Sequence, residues 1–476
     1  MNDQIAKHSY LILASFFLSS ILNYLYQVVM GNTLPKTEFG ILGVSLSIFY
    51  IAAILTQNTF SWPAARLISS KPAEASKYFR TALAGNLTLG TMIMIALLLL
   101  TFHSETYFIP IVIVAFSVVF AAFANSMNSL IRGFKLFSHI AIANVLNAAS
   151  KLFIAFFLVI LGFGVIGALS GFLISIVLPG IYFLLVVRGI EIKLSRGWSF
   201  AMVKETIPVS IIFLSIAFLV NGSIVLFRYL GATDVLTGSF NAALTISRAT
   251  FFIATALVTV TFPYISSDTT KEYFSFQTLK YVFLFVFPLS LSMTSNPAAW
   301  LSMFFSTKYI DATETLRLLA LAIGLLSIIQ VISSNLVAME KLHFSSICLL
   351  IFSAFFGVLS FIKITSIVIL LFLTSLTLSG TFMIYYARNF YFKFNLKYLA
   401  KILFSYAVLS LVIYYFPTTS RLIDLLGIIV AFSIYFTIIS VLKLFDEDDA
   451  RLFISPFPEN IQNLTISIVK RLNNLT

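Results

Sequence analysis

Apolar segments and short polar links alternate along almost the entire chain of 476 residues. Most of the apolar segments have the roughly 20 residues that a helix needs to cross a bilayer. The pattern therefore predicts an all-α polytopic membrane protein with about 14 transmembrane helices. The predicted spans are 10–30, 39–60, 81–102, 108–131, 138–161, 165–187, 206–227, 237–263, 281–295, 312–339, 344–362, 365–387, 398–416 and 422–442.

The composition excludes the soluble classes of protein. Hydrophobic residues make up 60% of the chain, charged residues only 10%, and the mean hydropathy is +1.02. Soluble domains are about 45–50% apolar and about 25% charged, so a soluble, disordered or coiled-coil protein is ruled out. Cys348 is the single cysteine and lies in an apolar segment, which excludes a disulfide framework and a cysteine metal site.

The basic residues lie mainly on one side of the predicted topology. With the amino terminus inside, 22 of the 30 Lys and Arg residues fall in inner links and 6 in outer links. This bias predicts a multi-pass protein of the cell (cytoplasmic) membrane with both termini cytoplasmic. It also accounts for the net charge of +12 without nucleic acid as a partner. Residues 464–472 are predicted to form a short interfacial helix.

Two pairs of segments indicate an internal repeat. Residues 38–48 resemble the segment that ends at 246, and residues 130–137 resemble 336–343, at offsets of 198 and 206. Six spans separate the members of each pair, so the copies share one orientation, as in transporters whose site lies between two bundles. Chance similarity between apolar segments is the alternative explanation. The predicted units are an N-lobe at 1–197, a C-lobe at 198–397, two extra C-terminal helices at 398–444 and a cytoplasmic tail at 445–476.

Motifs for catalysis or metal binding are missing from the sequence. It contains neither a G-x-x-x-x-G-K-[ST] phosphate loop nor an H-E-x-x-H metal motif, and its four histidines are scattered. The acidic run at 446–449 is interpreted as a solvated charge cluster rather than a metal–nucleotide site. We therefore expect a protein that is not an enzyme and has no metal ion or cofactor. A membrane glycosyltransferase and a transport-inactive scaffold are the alternatives.

Two basic residues lie near the centres of predicted spans. Lys151 falls in the fifth span and Arg248 in the eighth, and no Asp or Glu lies near the centre of any span. Placing a charge there costs about 2.5–3.5 kcal/mol on insertion scales, so such residues usually face a cavity or a partner. A cationic cavity without carboxylates suits a phosphate or diphosphate, because an arginine fork can bind two phosphate oxygens.

Polar residues accompany both cations at the spacing of one helical face. Asn144 and Asn147 precede Lys151, and Asn241 precedes Arg248, at intervals of three to seven residues. The alternative is that these amides join helices by hydrogen bonds while Lys151 reaches a carbonyl or the membrane surface. The candidate substrate-binding residues of the cavity are Arg248, Lys151, Arg66, Asn241, Asn147, Asn144, Asn23, Gln27 and Gln57.

Four segments also resemble the motifs of one transporter family. They are 31–40 (GNTLPKTEFG), 131–135 (IRGFK), 247–266 (from SRATFFIATAL to FPYIS) and 304–320 (FFSTKYIDATETLRLLA). Their order and spacing extend the likeness over residues 1–442. The chain resembles the Wzx-type lipid-linked oligosaccharide flippases of the multidrug/oligosaccharidyl-lipid/polysaccharide (MOP) exporter superfamily.

The resemblance implies two six-helix lobes around a central cavity. It also implies that a polyprenyl-diphosphate-linked oligosaccharide is translocated from the cytoplasmic to the outer leaflet by alternating access. Expected partners are this substrate, membrane lipids and other polysaccharide-assembly membrane proteins. Lipid II flippases of the superfamily carry arginines in the first helix, and this first span has none. A small-molecule or drug exporter of the superfamily is the alternative, although such antiporters often carry the membrane-embedded acids that are missing here.

Overall fold

A computed structural model describes residues 2–101, 105–188, 197–199, 201–266, 271–362, 366–389, 396–416, 420–445, 449 and 470. These residues form helices and turns, and they include no β-strand. The interfacial helix predicted at 464–472 and nearly all of the predicted tail lie outside the described residues.

Seventeen α-helices run through the described part of the chain, and some of them join end to end. They are α1 (Asn2–Thr33), α2 (Lys36–Thr56), α3 (Trp62–Ser70), α4 (Ala75–Thr101), α5 (Glu105–Gly133), α6 (Phe137–Leu158), α7 (Gly164–Arg188), α8 (Ala201–Tyr229), α9 (Asp234–Ile265), α10 (Lys271–Tyr281), α11 (Phe287–Ser295), α12 (Pro297–Phe305), α13 (Thr313–Ala338), α14 (Leu342–Ile362), α15 (Ile367–Asn389), α16 (Leu396–Tyr415) and α17 (Arg421–Val441).

Twelve segments of the described chain are long and apolar enough to cross a membrane. One of them, Phe137–Arg188, contains both α6 and α7, which pack on each other after a turn at Gly162 and Gly164. The φ angles of these residues are +91° and +52°, which glycine adopts at little cost. The helix α1 lies along α6, outside the twelve segments. The protein is therefore an all-α polytopic membrane protein with about fourteen membrane-crossing helices, as predicted.

Two further segments, Lys36–Ser70 and Glu272–Ser295, each contain two helices that continue through a π-helical turn. Gln57–Ser61 forms a π-helical turn between α2 and α3, and Val282–Val286 forms another between α10 and α11. Such turns often lie at functional sites. The prediction of 281–295 for the ninth span is too short, because this span begins at Glu272. The polar residues of α10 resemble a link in the sequence, but they continue the same helix.

The packing of the first seven helices is repeated farther along the chain. The helix α1 packs on α6 as α8 packs on α14. The helix α5 packs on α2, α4 and α7 as α13 packs on α9, α11 and α15. The equivalent helices α2 and α9 pack against each other at the centre of the molecule. Two six-helix lobes with the same packing therefore meet there, while the lobe boundaries proposed from the sequence remain predictions.

The helix α16 packs on α11 of the second lobe, and α17 packs on α16 and α12. A separate apolar cluster that includes Leu284 and Tyr435 lies at this contact. Asp449 lies near this cluster with its side chain buried. Its Oδ2 is 2.5 Å from Nζ of Lys280, and its Oδ1 accepts a hydrogen bond from Tyr281 at 3.0 Å. The prediction of a solvated acidic run is therefore wrong at Asp449, because a buried cation compensates this carboxylate. Residues 446–448 lie outside the described residues.

We name the two faces of the helical bundle after the charge bias of the sequence. The outer face contains the α1–α2 turn and the link between α12 and α13, and the inner face contains the ends of α3 and α5. On the outer face, Nζ of Lys36 is 2.7 Å from Oδ1 of Asp311, whose Oδ2 accepts a hydrogen bond from Ser239 at 2.7 Å. Nζ of Lys308 donates to the carbonyls of Gly31 and Leu34. These contacts join the two lobes and close the outer face.

Candidate functional site: a cationic cavity between the lobes

A cavity of about 490 Å³ lies between the lobes, on the inner side of the contacts just described. Ligand pockets usually have volumes of about 300–1,000 Å³. Helices α1, α2, α5, α6 and α7 of the first lobe form most of the wall, and α8 and α9 of the second lobe complete it. The described residues that line the cavity include no acidic side chain. Seven of the nine candidate residues line this cavity: Asn23, Gln27, Gln57, Asn144, Asn147, Lys151 and Arg248.

Arg248 on α9 belongs to a buried polar network that joins three helices. Its Nη2 donates to Oδ1 of Asn221 on α8 at 2.7 Å and to Oγ of Ser47 on α2 at 3.2 Å. Asn221 is oriented by its own hydrogen bond to the carbonyl of Ala217, at 2.9 Å. Nε of Arg248 is buried and makes no hydrogen bond within the described structure. The protein thus uses only part of the guanidinium fork, which leaves donors for an anion.

Lys151 on α6 is only 5% exposed, and aromatic rings surround its charge. Nζ lies 5.4 Å from the ring centroids of both Tyr26 and Phe172. The faces of aromatic rings attract cations. Among the described residues, Nζ has neither an acidic partner nor a hydrogen-bond acceptor. Lys151 is therefore a buried cation whose three N–H donors are unused by the protein.

Amide side chains form much of the remaining polar wall. Asn147 donates to the carbonyl of Ser175 at 2.6 Å, and Asn125 donates to Oγ1 of Thr56 at 3.3 Å. Buried polar groups in native proteins normally have hydrogen-bond partners. Several acceptors of the cavity wall have none within the described structure: Oδ1 of Asn23, Oε1 of Gln27, Oδ1 of Asn128 and Oγ1 of Thr245. The wall therefore suits a ligand that has hydrogen-bond donors for these acceptors and negative charge for Lys151 and Arg248.

Aromatic rings provide the apolar part of the wall. The rings of Phe49 and Phe172 meet edge to face, with 4.7 Å between their centroids, and Tyr50 lies 6.4 Å from Phe172. Tyr24, Phe251 and Phe252 also line the cavity. Rings bury a large apolar area in a fixed geometry. The combination of amides and rings suits hydroxyl-rich molecules that also have flat apolar faces, such as sugars.

The structure places the other two candidate residues outside the cavity. Arg66 on α3 is largely exposed, and its Nη2 lies 3.8 Å from Oε1 of Glu340 in the second lobe. Asn241 is fully buried and donates to the carbonyl of Phe39 at 2.9 Å. A Cβ on Gly43 would approach Cγ of Asn241 to 2.3 Å. Arg66 therefore lies at the inner end of the lobe interface, and Asn241 joins α9 to α2.

Sequence reasoning did not select several residues of the wall. Asn221 is the most important of them, because it orients Arg248. In the sequence it is a single amide within an apolar span, followed by Gly and Ser. Such an amide is equally typical of a contact between helices. The aromatic residues of the wall have no distinguishing signal among the 51 Phe and 20 Tyr residues of the chain.

Comparisons with known proteins show the family and the fold. The model of the family described as polysaccharide biosynthesis protein matches residues 5–268, more than half of the chain. A comparison with curated protein sequences gives no match. Several solved structures share the fold, each at 18% sequence identity.

One is a lipid II flippase, MurJ, in an inward closed conformation, with a TM-score of 0.69 over 91% of this chain and 98% of that chain. Another is an inward-facing multidrug resistance MATE family transporter of the MOP superfamily, with a TM-score of 0.63 over 80% and 98%. A third is a MOP superfamily transporter from Pyrococcus furiosus whose binding pocket has reverse polarity, with a TM-score of 0.53 over 81% and 96%. The chain therefore belongs to the polysaccharide biosynthesis protein family, and it has the fold of the flippases and transporters of the MOP superfamily.

Proposed function

We propose that the protein is a flippase for a polyprenyl-diphosphate-linked oligosaccharide, which it moves from the cytoplasmic to the outer leaflet. The observation that carries this proposal is the pair of buried cations without acidic partners in the described wall. Lys151 comes from the first lobe and Arg248 from the second, and both line one cavity. A diphosphate supplies the negative charge and the acceptors that these side chains lack. The proposal agrees with the structures that share the fold, which are a flippase and transporters.

The arrangement supports an alternating-access mechanism. The contacts of Lys36, Asp311 and Lys308 close the outer face, so the headgroup enters from the inner side. Lys151 and Arg248 bind the diphosphate, and the amides and rings of the wall contact the sugars. The polyprenyl tail stays in the lipid. Because an anion between the two cations contacts both lobes, its binding favours a different relative position of the lobes, and rocking then opens the cavity outward.

The proposal is tested in proteoliposomes with a fluorescent polyprenyl-diphosphate oligosaccharide. The measurement is the rate at which label in one leaflet becomes inaccessible to a membrane-impermeant quencher. Hydrogen bonds to charged groups contribute about 1.5–3 kcal/mol, so Arg248→Gln is expected to lower exchange about tenfold or more. Arg317→Gln is the matched control, because this exposed arginine pairs with Glu314 outside the cavity.

Two results would contradict the proposal. Folded wild-type protein that exchanges none of these lipids would argue for the other candidate function, export of a small molecule or drug. Normal exchange by both Arg248→Gln and Lys151→Met would show that a cationic cavity does not drive transport.

A further inference from the structure

A second unpaired cation lies at the inner end of α5, next to the cavity. Arg132 is the penultimate residue of this helix, and its Cζ lies 5.2 Å from the centroid of the Trp62 ring at the start of α3. Trp62 is 50% exposed, whereas Arg132 is half-buried. In the described structure, the side chain of Arg132 makes neither a hydrogen bond nor an ion pair. Its five N–H donors are therefore available to a ligand.

The neighbouring glycine allows α5 to approach α3 closely beside this arginine. A Cβ on Gly133 would lie 2.4 Å from Cγ2 of Ile68 and 3.3 Å from the carbonyl oxygen of Ala65, both on α3. The close approach of α5 and α3 therefore requires a residue without a side chain. Because helical side chains lean toward the amino terminus of their helix, Arg132 points back along α5 and over Trp62.

A crevice beside this pair adjoins the cavity and shares part of its wall. Trp62, Arg132, Ser61 and Ser129 line it together with Gln57, Asn125 and Asn128, and the last three residues also line the main cavity. The volume of the crevice is only about 10 Å³, enough for a single water molecule. A larger group would therefore bind at the rim of the crevice, where the guanidinium and the exposed part of the indole ring lie, and would move from there into the cavity.

The internal repeat shows that the arginine is not needed to end the helix. In the aligned segments 130–137 and 336–343, Ala338 corresponds to Arg132 and Met339 corresponds to Gly133. The equivalent helix α13 ends without either residue. The pair of Arg132 and Gly133 is therefore a feature of the first lobe alone, beside the helices that form most of the cavity wall.

We propose that Arg132 and Trp62 form an entry site for the diphosphate of the lipid-linked substrate, at the inner mouth of the cavity. The inference rests on the proposed function. An arginine fork binds two phosphate oxygens at once, and an indole ring at the membrane interface packs against the first carbons of a lipid tail. The phosphate of an abundant anionic phospholipid has related chemistry, so the experiment has to separate the two sources.

Trp62 itself reports on the binding event, because the chain has only three tryptophans. In a Trp198→Phe, Trp300→Phe background, Trp62 fluorescence is titrated in detergent with undecaprenyl diphosphate, inorganic diphosphate and phosphatidylglycerol. We expect a saturable change with undecaprenyl diphosphate at a concentration at least about tenfold below that needed for phosphatidylglycerol. Arg132→Ala should raise the half-saturating concentration about tenfold or more, and Arg132→Lys should raise it less, because it keeps the charge but loses the fork.

Three outcomes of the titration would overturn the entry site. Equal responses to undecaprenyl diphosphate and phosphatidylglycerol would identify Arg132 as a contact for bulk lipid, and an unchanged titration in Arg132→Ala would remove it from binding altogether. A response to inorganic diphosphate alone would show a site for a free anion, which also contradicts the proposal.

The exchange assay separates this inference from the proposed function. Arg132→Ala is expected to raise the half-saturating substrate concentration about tenfold while the maximal rate changes less than about twofold. Arg388→Ala, at the inner end of α15, is the matched control. If the wild type exchanges the lipid and Arg132→Ala has the same concentration dependence, the entry site alone fails. If the wild type exchanges no such lipid, the proposed function fails, and the Trp62 titration still decides whether the site binds diphosphate lipids.

Discussion

The two buried cations of the cavity are held in different ways, and this difference has consequences for substitutions. Arg248 has two hydrogen-bond acceptors, Ser47 and Asn221, whereas Lys151 has only the faces of Tyr26 and Phe172 within the described structure. Removing one partner of a buried polar pair costs more than removing the whole pair. Arg248 therefore contributes to the structure as well as to the site, while Lys151 is expected to contribute to function at the expense of stability.

Replacement of Lys151 by methionine is expected to stabilise the fold and to abolish transport. Methionine keeps the long apolar stem against the two rings, and it removes a buried charge that no acidic residue compensates. Replacing buried charges by apolar residues of similar volume is often stabilising, by about 1–4 kcal/mol. The measurements are the thermal unfolding midpoint of purified protein and lipid exchange in proteoliposomes. Lys151→Ala is the control, because it also removes the charge but leaves a void. A Lys151→Met variant that transports normally would exclude Lys151 from the site.

The substitution Asn221→Asp, in the second lobe, is expected to resemble Lys151→Met: transport falls while stability is kept or raised. A carboxylate at this position lies within reach of Nη2 of Arg248, which is 2.7 Å from the present Oδ1. The new ion pair should keep or raise the unfolding midpoint and lower lipid exchange, because it neutralises the cation that we propose binds the diphosphate. Asn221→Ala leaves Arg248 with one acceptor fewer and should destabilise by about 1–3 kcal/mol. Faster exchange in Asn221→Asp than in the wild type would contradict the assigned role of Arg248.

Most of the candidate residues chosen from the sequence line the cavity, since two of the three charged candidates and five of the six amides do so. Lys151 and Arg248 stand out because a charge in an apolar span needs an explanation. Asn241 shares a helical face with Thr245 and Arg248 of the cavity wall, yet Gly43 packs directly on it, about one turn before Thr245. Helical periodicity gives the direction of a side chain but not the depth at which a neighbouring helix covers it. The contact of Asn241 with α2 and the orientation of Asn221 therefore become visible only in the packed structure.

At the scale of helices, the contact between α2 and α9 depends on glycine. A Cβ on Gly238 would lie 2.0 Å from the carbonyl oxygen of Lys36, and a Cβ on Gly40 would lie 2.4 Å from the carbonyl oxygen of Asp234. In both cases the opposing atom belongs to the backbone, which cannot rotate away. Small residues allow membrane helices to approach this closely. The same two helices carry Ser47 and Arg248, so their spacing also sets the network of the site.

Gly238→Ala is expected to weaken this contact and to open the outer face. Overpacking of a tight contact costs about 1–3 kcal/mol, and here the cost applies mainly to the state in which the outer face is closed. The measurement is labelling of an introduced Ala121→Cys in the cavity wall by an impermeant maleimide from outside, in a Cys348→Ser background. Labelling should be faster in Gly238→Ala. Gly380→Ala is the matched control, because a Cβ there would meet nothing within 4 Å. Equal labelling in both variants would show that the α2–α9 contact does not close the outer face.

The spans themselves are largely readable from hydropathy, and the exceptions have physical causes. The start of the ninth span is missed because α10 is polar, and its length becomes clear only when α10 joins α11 through the turn at Val282–Val286. The pattern of apolar residues does not predict the similar turn at Gln57–Ser61, although this turn lies beside the cavity. Hydropathy records the length of a span, but the extra residue of a π-helical turn depends on how the helix packs.

At the scale of the whole molecule, the described contacts are distributed unequally between the two faces. The outer face has the charged and hydrogen-bonded contacts of Lys36, Asp311 and Lys308, whereas on the inner face Arg66 and Glu340 are largely exposed and 3.8 Å apart. The cavity and the crevice at Arg132 both lie on the inner side of the outer contacts. Thr59 of the first lobe also contacts Ser210 and Thr206 of the second lobe on the inner side. The contacts of Lys36, Asp311 and Lys308 nevertheless lie on the outer face, which indicates that the lobes are held together more strongly there.

The ion pair between Lys36 and Asp311 offers the most direct test of this interpretation, because it crosses between the lobes. Partly exposed pairs contribute about 0.2–1 kcal/mol, so Lys36→Asp should increase outward labelling of Ala121→Cys about two- to fivefold. Asp311→Lys should have a similar effect. The double variant Lys36→Asp, Asp311→Lys restores opposite charges and should return labelling toward the wild-type rate, since the hydroxyl of Ser239 can also accept a hydrogen bond.

The exposed pair of Glu314 and Arg317 lies within one helix, so its reversal is the control and should leave labelling unchanged. If the double variant labels as fast as either single variant, the pair does not hold the lobes together, and closure of the outer face then depends on the helix contacts alone.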